Sequence, residues 1–417
     1  MKKLFAILIS LVMIIACVPM AFARAPKSAL DFVEEARAMM DESKMTRVRE
    51  EASYRLNDPY QTGRILVLPG KTLDGKFRKA AEDCASFRGL YLLQYGTEKA
   101  TKAAYKALEA TYGEDAVILD EVFRVALPKA QAVQTTANTG YMSWGVQNMG
   151  MDKVKNKLKA RGNKTPVTVA VLDTGISFFD GVFANRISGA FDMVAFNPVP
   201  YDFNGHGTHC AGTIVEATPE NVKVMPVKTI TAIGFGSVLN VLLGLLYADA
   251  MGADIVNMSL AGEDTLGLQA YDGLLKQLYD HGITTVVAAG NEAHNVSKSY
   301  PSSSKYVITV GATKSNNRVD RSYSNYGAKI DFVAPGTNVT GHSTVLGIPQ
   351  PLKMTGTSMA APHVSAACAL IKCVYPNYNQ KQVYNVLKRY AVDIEAKGKD
   401  NYAGWGRIDL TNFARNL

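Results

Sequence analysis

Apolar and β-branched runs alternate with helical stretches through the larger, carboxyl-terminal part of the chain. Strands that are apolar on both faces and alternate with helices are typical of a parallel sheet covered on both sides by helices. The pattern therefore predicts an α/β domain of three layers, to which we assign residues 139–417. The predicted strands are Val167–Leu172, Val222–Val227, Ile255–Met258, Thr284–Ala288 and Tyr306–Val310, and the clearest helices are Val238–Met251 and Leu266–His281.

A second, smaller pattern precedes this domain. Short β and α runs alternate over residues 60–127, which predicts a small α+β unit. The following stretch, Gln131–Thr139, lacks apolar periodicity and predicts an exposed linker, so we set the unit and its linker at 60–138. The expected elements are strands at Arg64–Leu68, Leu90–Gln94 and Val117–Ala126 and helices at Leu73–Cys84 and Glu98–Thr111.

The first 23 residues have the pattern of a secretory signal peptide. Lys2 and Lys3 precede an apolar run, Leu4–Val18, which is followed by Ala-Phe-Ala ending at Ala23. A basic start, a short apolar stretch and a small-residue site predict export from the cell, with cleavage after Ala23.

Two further observations concern the amino-terminal region. Ile-Ile-Ala-Cys, ending at Cys17, also resembles a lipoprotein box, in which Cys17 would be lipidated and would anchor the protein. A membrane-spanning helix needs about 20 apolar residues, and no later segment is long and apolar enough, so no stable membrane span is expected. Residues 24–59 are predicted to form a helical extension ahead of the small unit.

The formal net charge of +8 does not by itself exclude a class of function, but the distribution of charged residues along the chain does. From residue 140 onward, 25 Lys and Arg stand against 20 Asp and Glu, and no basic cluster is interleaved with aromatic residues. Nucleic acid is therefore not an expected partner. Cys368 and Cys373 point to different faces of one predicted helix, so free thiols are expected. The cysteines show no spacing typical of zinc sites.

Three short blocks carry the residue types that nucleophilic hydrolysis needs: a nucleophile, a base and a group that orients the base. Asp173 follows an apolar strand, His206 lies in Asn-Gly-His-Gly-Thr-His, and Ser358 lies in Gly-Thr-Ser-Met-Ala-Ala-Pro at a helix start. Each has an ordinary alternative, because Asp and Ser often cap helices and a His beside glycines is often a turn residue. The ends of parallel strands and the N-termini of helices are nevertheless where chemistry gathers.

Taken together, the blocks resemble those of the subtilisin (subtilase) family of serine proteases. Asp-Thr-Gly, His-Gly-Thr-His and Gly-Thr-Ser-Met-Ala-x-Pro occur in the family's order, over roughly residues 140–410. The resemblance implies a subtilisin-like fold and a serine endopeptidase that acts on proteins and peptides through an acyl-enzyme. By the same resemblance, Ser358 is the nucleophile, His206 the base and Asp173 the residue that orients the base.

The resemblance also implies the rest of the site. Asn291, in Ala-Ala-Gly-Asn, would donate to the oxyanion, and extended peptides would bind by strand addition. No acidic cluster occurs at the matched positions, so broad, mildly apolar specificity is expected. The substrate-binding residues implied are Gly234, Phe235, Gly236, Val238, Ser259, Leu260, Ala261, Gly262, Ala288, Ala289, Gly290 and Ser299.

Residues 60–127 resemble the family's inhibitory propeptide, a small ferredoxin-like domain. The resemblance implies a self-processing zymogen whose own prodomain is an intramolecular inhibitor, and a monomer is expected. Many relatives bind calcium in a loop after the His block. Here Thr213–Asn221 is too short for such a loop, so no metal ligand and no required cofactor are expected, while calcium elsewhere stays open.

Two rival functions fit the same residues. One is a processing protease with narrow specificity for a few exported proteins, which a peptide-library cleavage profile would distinguish from a general protease. The other is a non-catalytic binding protein built on a decayed protease scaffold. The presence of Asp173, His206, Asn291 and Ser358 argues against the second.

Overall fold

The computed structural model of the chain describes residues 63–67, 72–87, 90–113, 116–120, 122–124, 131–132, 143–263 and 271–417. The predicted signal peptide, the lipoprotein cysteine Cys17 and the predicted helical extension at 24–59 lie outside these described residues.

A small amino-terminal unit has the element order βαββαβ. Its strand pairs are antiparallel and its sheet order is β2-β3-β1-β4, which is the ferredoxin-like arrangement. The elements are β1 (Arg64–Val67), α1 (Gly75–Ala80), β2 (Asp83–Phe87), β3 (Leu90–Gln94), α2 (Glu98–Tyr112) and β4 (Val117–Leu119).

The two faces of this small sheet have different partners. Ile65 and Val67 belong to a core that the sheet shares with its own helices, together with Tyr105 and Leu108 of α2. Leu66, between them, lies in a core with residues of the large domain. Because successive side chains of a strand point to opposite faces, the sheet packs with one face on α1 and α2 and with the other on the large domain.

The large domain is built on a nine-stranded sheet in the order β21-β22-β16-β15-β13-β11-β7-β9-β8. The pairings are parallel, apart from the edge pair β21–β22. The strands are β7 (Val167–Asp173), β8 (Phe191–Asp192), β9 (Val222–Lys228), β11 (Ile255–Met258), β13 (Thr284–Ala288), β15 (Ile308–Thr313), β16 (Phe332–Pro335), β21 (Ala391–Val392) and β22 (Arg407–Ile408).

Short strands form small ribbons around this sheet. β5 pairs with β10, β6 and β17 pair with β20, β12 pairs with β14, and β18 pairs with β19. Their bounds are β5 (Val122–Arg124), β6 (Gln131–Ala132), β10 (Phe235–Ser237), β12 (Gly262–Glu263), β14 (Ser299–Tyr300), β17 (Val339–Gly341), β18 (Thr344–Val345), β19 (Ile348–Pro349) and β20 (Leu352–Met354).

Helices cover both faces of the large sheet. Val169 and Val171 of β7 share a core with α4, α5 and α8, whereas Ala170 and Leu172 share one with α6 and α7. This alternation produces the three predicted layers. The helices are α3 (Trp144–Asn148), α4 (Met151–Ala160), α5 (His206–Ala217), α6 (Val238–Ala250), α7 (Tyr271–Asp280), α8 (Thr357–Val374), α9 (Gln380–Arg389) and α10 (Thr411–Asn416).

Within the described part of the chain, α8 is by length and composition alone long and apolar enough to cross a membrane, although no segment after the first 23 residues was expected to be. Of its apolar window, 94% is buried inside the fold. The helix packs against the strands of the central sheet and against α5. Its apolar character is therefore that of a core helix.

Several predicted elements of the small unit were wrong in their bounds. The helix expected at Leu73–Cys84 ends at Ala80, and Asp83–Phe87 is a strand instead. The single strand expected at Val117–Ala126 is two, interrupted at Asp120, and its second part pairs with the large domain. Gln131–Ala132, expected to begin an exposed linker, pairs with β20. In each case, pairing with residues distant in the sequence decides the outcome.

Candidate active site

Asp173 is the last residue of β7, a central strand flanked by β11 and β9. Its side chain is 3% exposed, and its Oδ1 atom accepts a hydrogen bond from the N–H of Thr174 at 2.7 Å. His206 Nδ1 lies 2.7 Å from the same oxygen. A buried carboxylate must be paired or hydrogen-bonded, and the imidazole of His206 meets that requirement.

His206 is the first residue of α5 and follows Gly205, whose φ is 101°. A Cβ atom at Gly205 would lie 2.3 Å from the backbone oxygen of Thr344, so glycine is needed for this close approach. The other ring nitrogen, His206 Nε2, is buried and has no hydrogen-bond partner among the described residues. With Nδ1–H held by Asp173, Nε2 is the nitrogen that can accept a proton.

Asp202 joins the Asp block to the His block, although no sequence pattern indicated it. Its Oδ1 accepts from the hydroxyl of Thr174 at 3.0 Å and from the N–H of Gly205 at 2.8 Å. Its Oδ2 accepts from the N–H and the hydroxyl of Thr208 at 2.9 and 2.7 Å. Asp202 therefore ties the first turn of α5 to the residue that follows Asp173.

The carboxylates also set the proton affinity of His206. Burial alone would lower its pKa, since a low dielectric disfavours the charged ring. The charge of Asp173 and its hydrogen bond, helped by the charge of Asp202, outweigh burial and raise the pKa of His206 above its ordinary value. The pair thus stabilises an imidazolium inside the fold.

Ser358 is the second residue of α8, where a backbone N–H has no acceptor within its own helix. Its hydroxyl donates to the backbone oxygen of Ser259 at 3.1 Å, and the structure shows no hydrogen bond from Ser358 to His206. Cys210, one turn beyond His206 on α5, has its Sγ atom 3.4 Å from the Ser358 backbone oxygen. The nucleophile candidate thus lies beside α5, the helix that begins with His206.

Asn291 follows β13 and Gly290, and its side chain is fixed by the start of α8. Asn291 Oδ1 accepts from the N–H of Thr357 at 2.8 Å and from the Thr357 hydroxyl at 3.0 Å. Because a backbone N–H can bond only to the amide oxygen, the amide nitrogen Nδ2 must be the free end. Asn291 and Ser358 both line one small cavity.

Five of the predicted site residues line this cavity, together with two that were not predicted as site residues, Glu292 and Thr357. Glu292 Oε2 accepts from the N–H of Asn291 at 2.9 Å and from Asn325 Nδ2 at 2.8 Å. The sequence signal that could have indicated Glu292 is its position directly after Asn291 in Ala-Ala-Gly-Asn. The lining residues are Ala261, Ala288, Gly290, Asn291, Glu292, Thr357 and Ser358.

The chain is similar to known proteins in sequence and in fold. The sequence profile of the subtilase family matches residues 164–406. An alkaline protease of Alkalihalobacillus alcalophilus is 35% identical over 310 residues, which cover 72% of this chain and 76% of that protein. The chain belongs to the subtilase family. It is therefore a subtilisin-like serine protease, and its substrates are proteins or peptides.

Further similarities concern sequence and fold. Subtilisin Savinase of Lederbergia lenta is 35% identical over 281 residues, 65% of this subtilase and 98% of that protein. The crystal structure of a cold adapted subtilisin-like serine proteinase superimposes with a TM-score of 0.53 at 27% identity, over 59% of this chain and 89% of that chain. The large domain accordingly has the predicted subtilisin-like α/β fold.

The remaining predicted residues of this subtilase lie around the cavity in different ways. Phe235 and Gly236 belong to β10, whose edge is occupied by β5 of the same chain. Val238 and Leu260 are buried in the core below that edge. Ala289 packs on the far side of β13 with Val296 and Val333, outside the cavity lining.

Ser259 and Ser299 are buried within the walls of the site in this subtilase. The Ser259 hydroxyl donates to the backbone oxygen of Ser358 at 2.9 Å. Ser299 Oγ lies 3.2 Å from Asn325 Nδ2, and that amide also donates to Glu292. Both hydroxyls therefore support cavity residues and do not line the cavity themselves.

Two further histidines near the site are neutral. His209 Nε2 lies 3.1 Å from the backbone oxygen of Val339, and burial lowers the pKa of His209 to about 3. Burial likewise lowers the pKa of His363 to about 4. Neutral, hydrogen-bonded rings inside the fold have packing roles.

Asp173, His206 and Cys210 also have ligand-type atoms within 4.8 Å of one another. The 2.7 Å hydrogen bond between Asp173 and His206 already uses one such atom of each residue. Burial raises the pKa of the Cys210 thiol well above its ordinary value, which disfavours the thiolate that a metal would need. The cluster is therefore better suited to proton transfer than to holding a metal ion.

Proposed function

We propose that this subtilase is a secreted serine endopeptidase in which Ser358, His206 and Asp173 form the catalytic triad. The observation that carries the proposal is the buried 2.7 Å pair of Asp173 and His206, whose Nε2 has no hydrogen-bond partner among the described residues. Cys210 connects this pair to the start of α8, because its Sγ atom lies within 4.8 Å of ligand-type atoms of Asp173 and His206 and 3.4 Å from the Ser358 backbone oxygen. A proton acceptor with a raised pKa next to a serine hydroxyl is the arrangement that activates a serine.

The proposed reaction has two stages. Ser358 turns from Ser259, transfers its hydroxyl proton to His206 Nε2 and attacks the substrate carbonyl carbon, and its oxygen becomes bonded to that carbon. The imidazolium, stabilised by Asp173, then returns the proton to the leaving amine as the peptide bond breaks. Water repeats the sequence on the acyl-enzyme, releases the acid product and restores Ser358.

The negative oxygen of each tetrahedral intermediate would bind between Asn291 Nδ2 and the N–H of Ser358. The partial positive charge at the start of α8 favours an anion there. Because Thr357 already holds the amide oxygen of Asn291, the donor is oriented before substrate arrives, and no reorganisation is needed during the reaction.

Replacing Asn291 by Leu is expected to lower kcat by about 10²–10³ with little change in KM, a range known from the corresponding donor of subtilisin itself. Leu keeps about the same side-chain volume and removes the Nδ2 donor. It also removes the acceptor of the two hydrogen bonds from Thr357, so the thermal midpoint is measured alongside the kinetics. Steady-state kinetics on a chromogenic peptide measures both constants. Asn325→Leu is not a suitable control, because Asn325 donates to Glu292, which lines the cavity. Asn148→Leu is a suitable control, because Asn148 does not line the cavity and donates to Asn317. A rise in KM with kcat unchanged would show that Asn291 binds substrate in its ground state.

Substrate would bind as an extended strand on β10. The antiparallel pairing of β5 with β10 gives the register for such a strand, Phe235 with Arg124 and Ser237 with Val122.

Ala261, Ala288 and Gly290 leave room for a side chain in the cavity, which favours broad, mildly apolar specificity. Glu292, 41% exposed at this cavity, adds one negative charge, so a basic side chain is also acceptable there. A peptide-library cleavage profile distinguishes this specificity from that of a narrow processing protease.

The small unit is proposed to be an inhibitory prodomain. Asp120, fully buried, accepts from the N–H of Leu239 at the start of α6 at 2.8 Å and pairs with Arg64 at 2.6 Å. A carboxylate at a helix N-terminus is stabilised there. With β5 on β10, the unit occupies the edge that substrate would need, which is how an intramolecular inhibitor acts.

The processing bond is proposed to lie after Arg124 and before Gln131. β5 lies on β10, on one side of the cavity, and β6 lies on β20, a few residues ahead of Ser358. The connecting residues 125–130 are outside the described residues. Cleavage between β5 and β6 would separate the small unit from the large domain, and we propose that the zymogen makes this cut itself.

Secretion rests on the amino-terminal pattern of two lysines, an apolar run and Ala-Phe-Ala. We keep lipidation at Cys17 as the alternative, which intact mass of the exported protein distinguishes. The mature enzyme is proposed to be a monomer.

A fluorophosphonate probe tests the proposed catalytic function directly. It is expected to label the purified protein at Ser358, whereas a non-catalytic protein on a decayed protease scaffold would stay unlabelled.

Calcium is not expected to stabilise this subtilase through a loop after α5. That helix ends at Ala217 and β9 begins at Val222, which leaves few oxygen ligands for a site that needs six to eight. Excess chelator is therefore expected to leave the thermal midpoint of the inactive Ser358→Ala protein unchanged. A site saturated at 100 times its Kd contributes about 2.7 kcal/mol. A midpoint lowered by several degrees, and restored by added calcium, would contradict this expectation.

A further inference from the structure

A buried charged cluster centred on His342 lies apart from the cavity. His342 is between β17 and β18, and its side chain is 11% exposed. Its Nδ1 lies 2.9 Å from Asp180 Oδ2, and its Nε2 lies 3.2 Å from Glu216 Oε1, with carboxylates 13% and 7% exposed. The contact of Nε2 with Glu216 is an ion pair without hydrogen-bond geometry, and burial raises the pKa of Glu216. Two carboxylates flanking one imidazole favour its charged form, which has a hydrogen on each nitrogen.

The cluster joins three parts of the chain that lead to the proposed triad. Asp180 lies in the loop that follows Asp173. Glu216 lies on α5, the helix that begins with His206. The hairpin that carries His342 continues through β20 to Ser358 at the start of α8.

A second path runs from the same cluster to α8. Glu216 Oε2 accepts from the N–H of Ser143 at 3.2 Å. His363 Nδ1 donates to the backbone oxygen of Met359 at 2.7 Å, so its Nε2 is the acceptor for the Ser143 hydroxyl at 3.0 Å. Glu216 is thereby connected to the residue next to Ser358.

Packing and nearby charges restrict what can replace the cluster. A Cβ atom at Gly212 would lie 2.8 Å from the Cβ of His342, so the hairpin rests directly on α5. Lys155 of α4 donates to the Glu216 backbone oxygen at 2.6 Å, and burial lowers the pKa of Lys155. Asp180 and Glu216 are the charged groups that face His342 directly. Around them, Lys155 lies against Glu216, the charges of Arg186 and Glu220 act on Lys155, His209 lies beside Gly341, and His363 is reached through Ser143.

We infer that His342, as an imidazolium, is a positioning residue for the proposed triad: it holds together the segments that carry Asp173, His206 and Ser358. It contacts none of the three and acts through Asp180 and Glu216. The inference rests on the proposed function, because its consequence is a change in turnover.

The charge of His342 has a defined pH range. Burial opposes protonation, but the hydrogen bonds and charges of Asp180 and Glu216 outweigh it and raise the pKa of His342 to about 9. In the folded enzyme the positive charge therefore persists at neutral pH and is lost as the pH rises through about 9. Relative to the unfolded chain, its contribution to stability is complete below pH 6.5, the ordinary value, and disappears by about pH 9.

The test measures kcat and KM against pH for the purified processed enzyme and its variants. Wild type is expected to lose kcat near pH 9, with KM changed by less than about twofold. His342→Gln, which is neutral and can donate to one carboxylate, is expected to lower kcat about tenfold at neutral pH and to remove the loss near pH 9. His342→Lys restores a cation and is expected to recover kcat and move the alkaline loss to higher pH. His281→Gln is the matched control, since His281 pairs with Asp249 at 2.8 Å but is 55% exposed.

Retention of wild-type kcat and of the loss near pH 9 in His342→Gln would overturn the inference. If that variant does not fold, Asp180→Asn decides: removing one carboxylate is expected to move the alkaline loss of kcat to lower pH, and an unmoved profile overturns the inference. Fluorophosphonate labelling separates the two hypotheses. Unlabelled wild type refutes the proposed function and the inference with it, whereas labelled wild type with an unmoved profile refutes the role of His342 alone.

Discussion

Ser358→Ala is expected to leave a folded chain that stays at precursor length, with turnover lowered by about a million-fold, the loss known for the nucleophile of subtilisin itself. Ser358 is buried, and its hydroxyl bonds to Ser259, so removal of the hydroxyl forfeits one hydrogen bond and disturbs little packing. N-terminal sequencing of secreted wild type is expected to begin between Arg124 and Gln131. The variant is expected to begin at the signal-peptide cleavage site.

A matched control lies on the same helix. Ser365 is also fully buried on α8, and its hydroxyl donates to Asn257 at 2.8 Å. Ser365→Ala is expected to lower stability by about 1–3 kcal/mol, because Asn257 loses a buried partner, and to be processed normally. Equal processing of wild type and Ser358→Ala would show that another protease makes the cut.

Asp173→Asn is expected to lower kcat by about 10⁴, the loss seen when the triad carboxylate of a serine protease is replaced by its amide. The asparagine can present N–H to His206 Nδ1, which would put the ring hydrogen on Nε2 and block proton uptake from Ser358. Overall shape is preserved, so KM is expected to change little.

The same variant tests the electrostatics of His206. The base must be neutral to act, so activity rises with pH through the pKa of His206 and is lost below it. Asp173 raises that pKa, and its replacement is therefore expected to move the acid limb of kcat/KM to lower pH. Asp249→Asn, which removes the carboxylate from the surface pair with His281, is the control and is expected to leave the limb in place. An acid limb that does not move in Asp173→Asn would mean that a group other than His206 titrates.

Local patterns were most reliable where a segment is apolar on both faces. The run ending at Leu172 predicted a buried strand, and β7 is the strand between β9 and β11. A strand buried on both sides has no polar face to obscure its pattern. Elements of the small unit were less predictable because their bounds depend on pairing: Asp120 interrupts the expected strand where it bonds to Leu239 of the large domain.

The fold class, the family and the residues proposed for catalysis could all be predicted from the sequence. The fold class follows from the alternation of apolar strands and helices, and the family and the catalytic residues follow from three short blocks of contiguous residues. Tertiary structure alone decided how those blocks are held. Asp202 bridges two of them, Glu292 reaches the cavity, and His342 meets Asp180 and Glu216 across three separate segments. Such contacts join residues far apart in the chain, and charge pairing depends on distances in space, which spacing along the sequence does not encode.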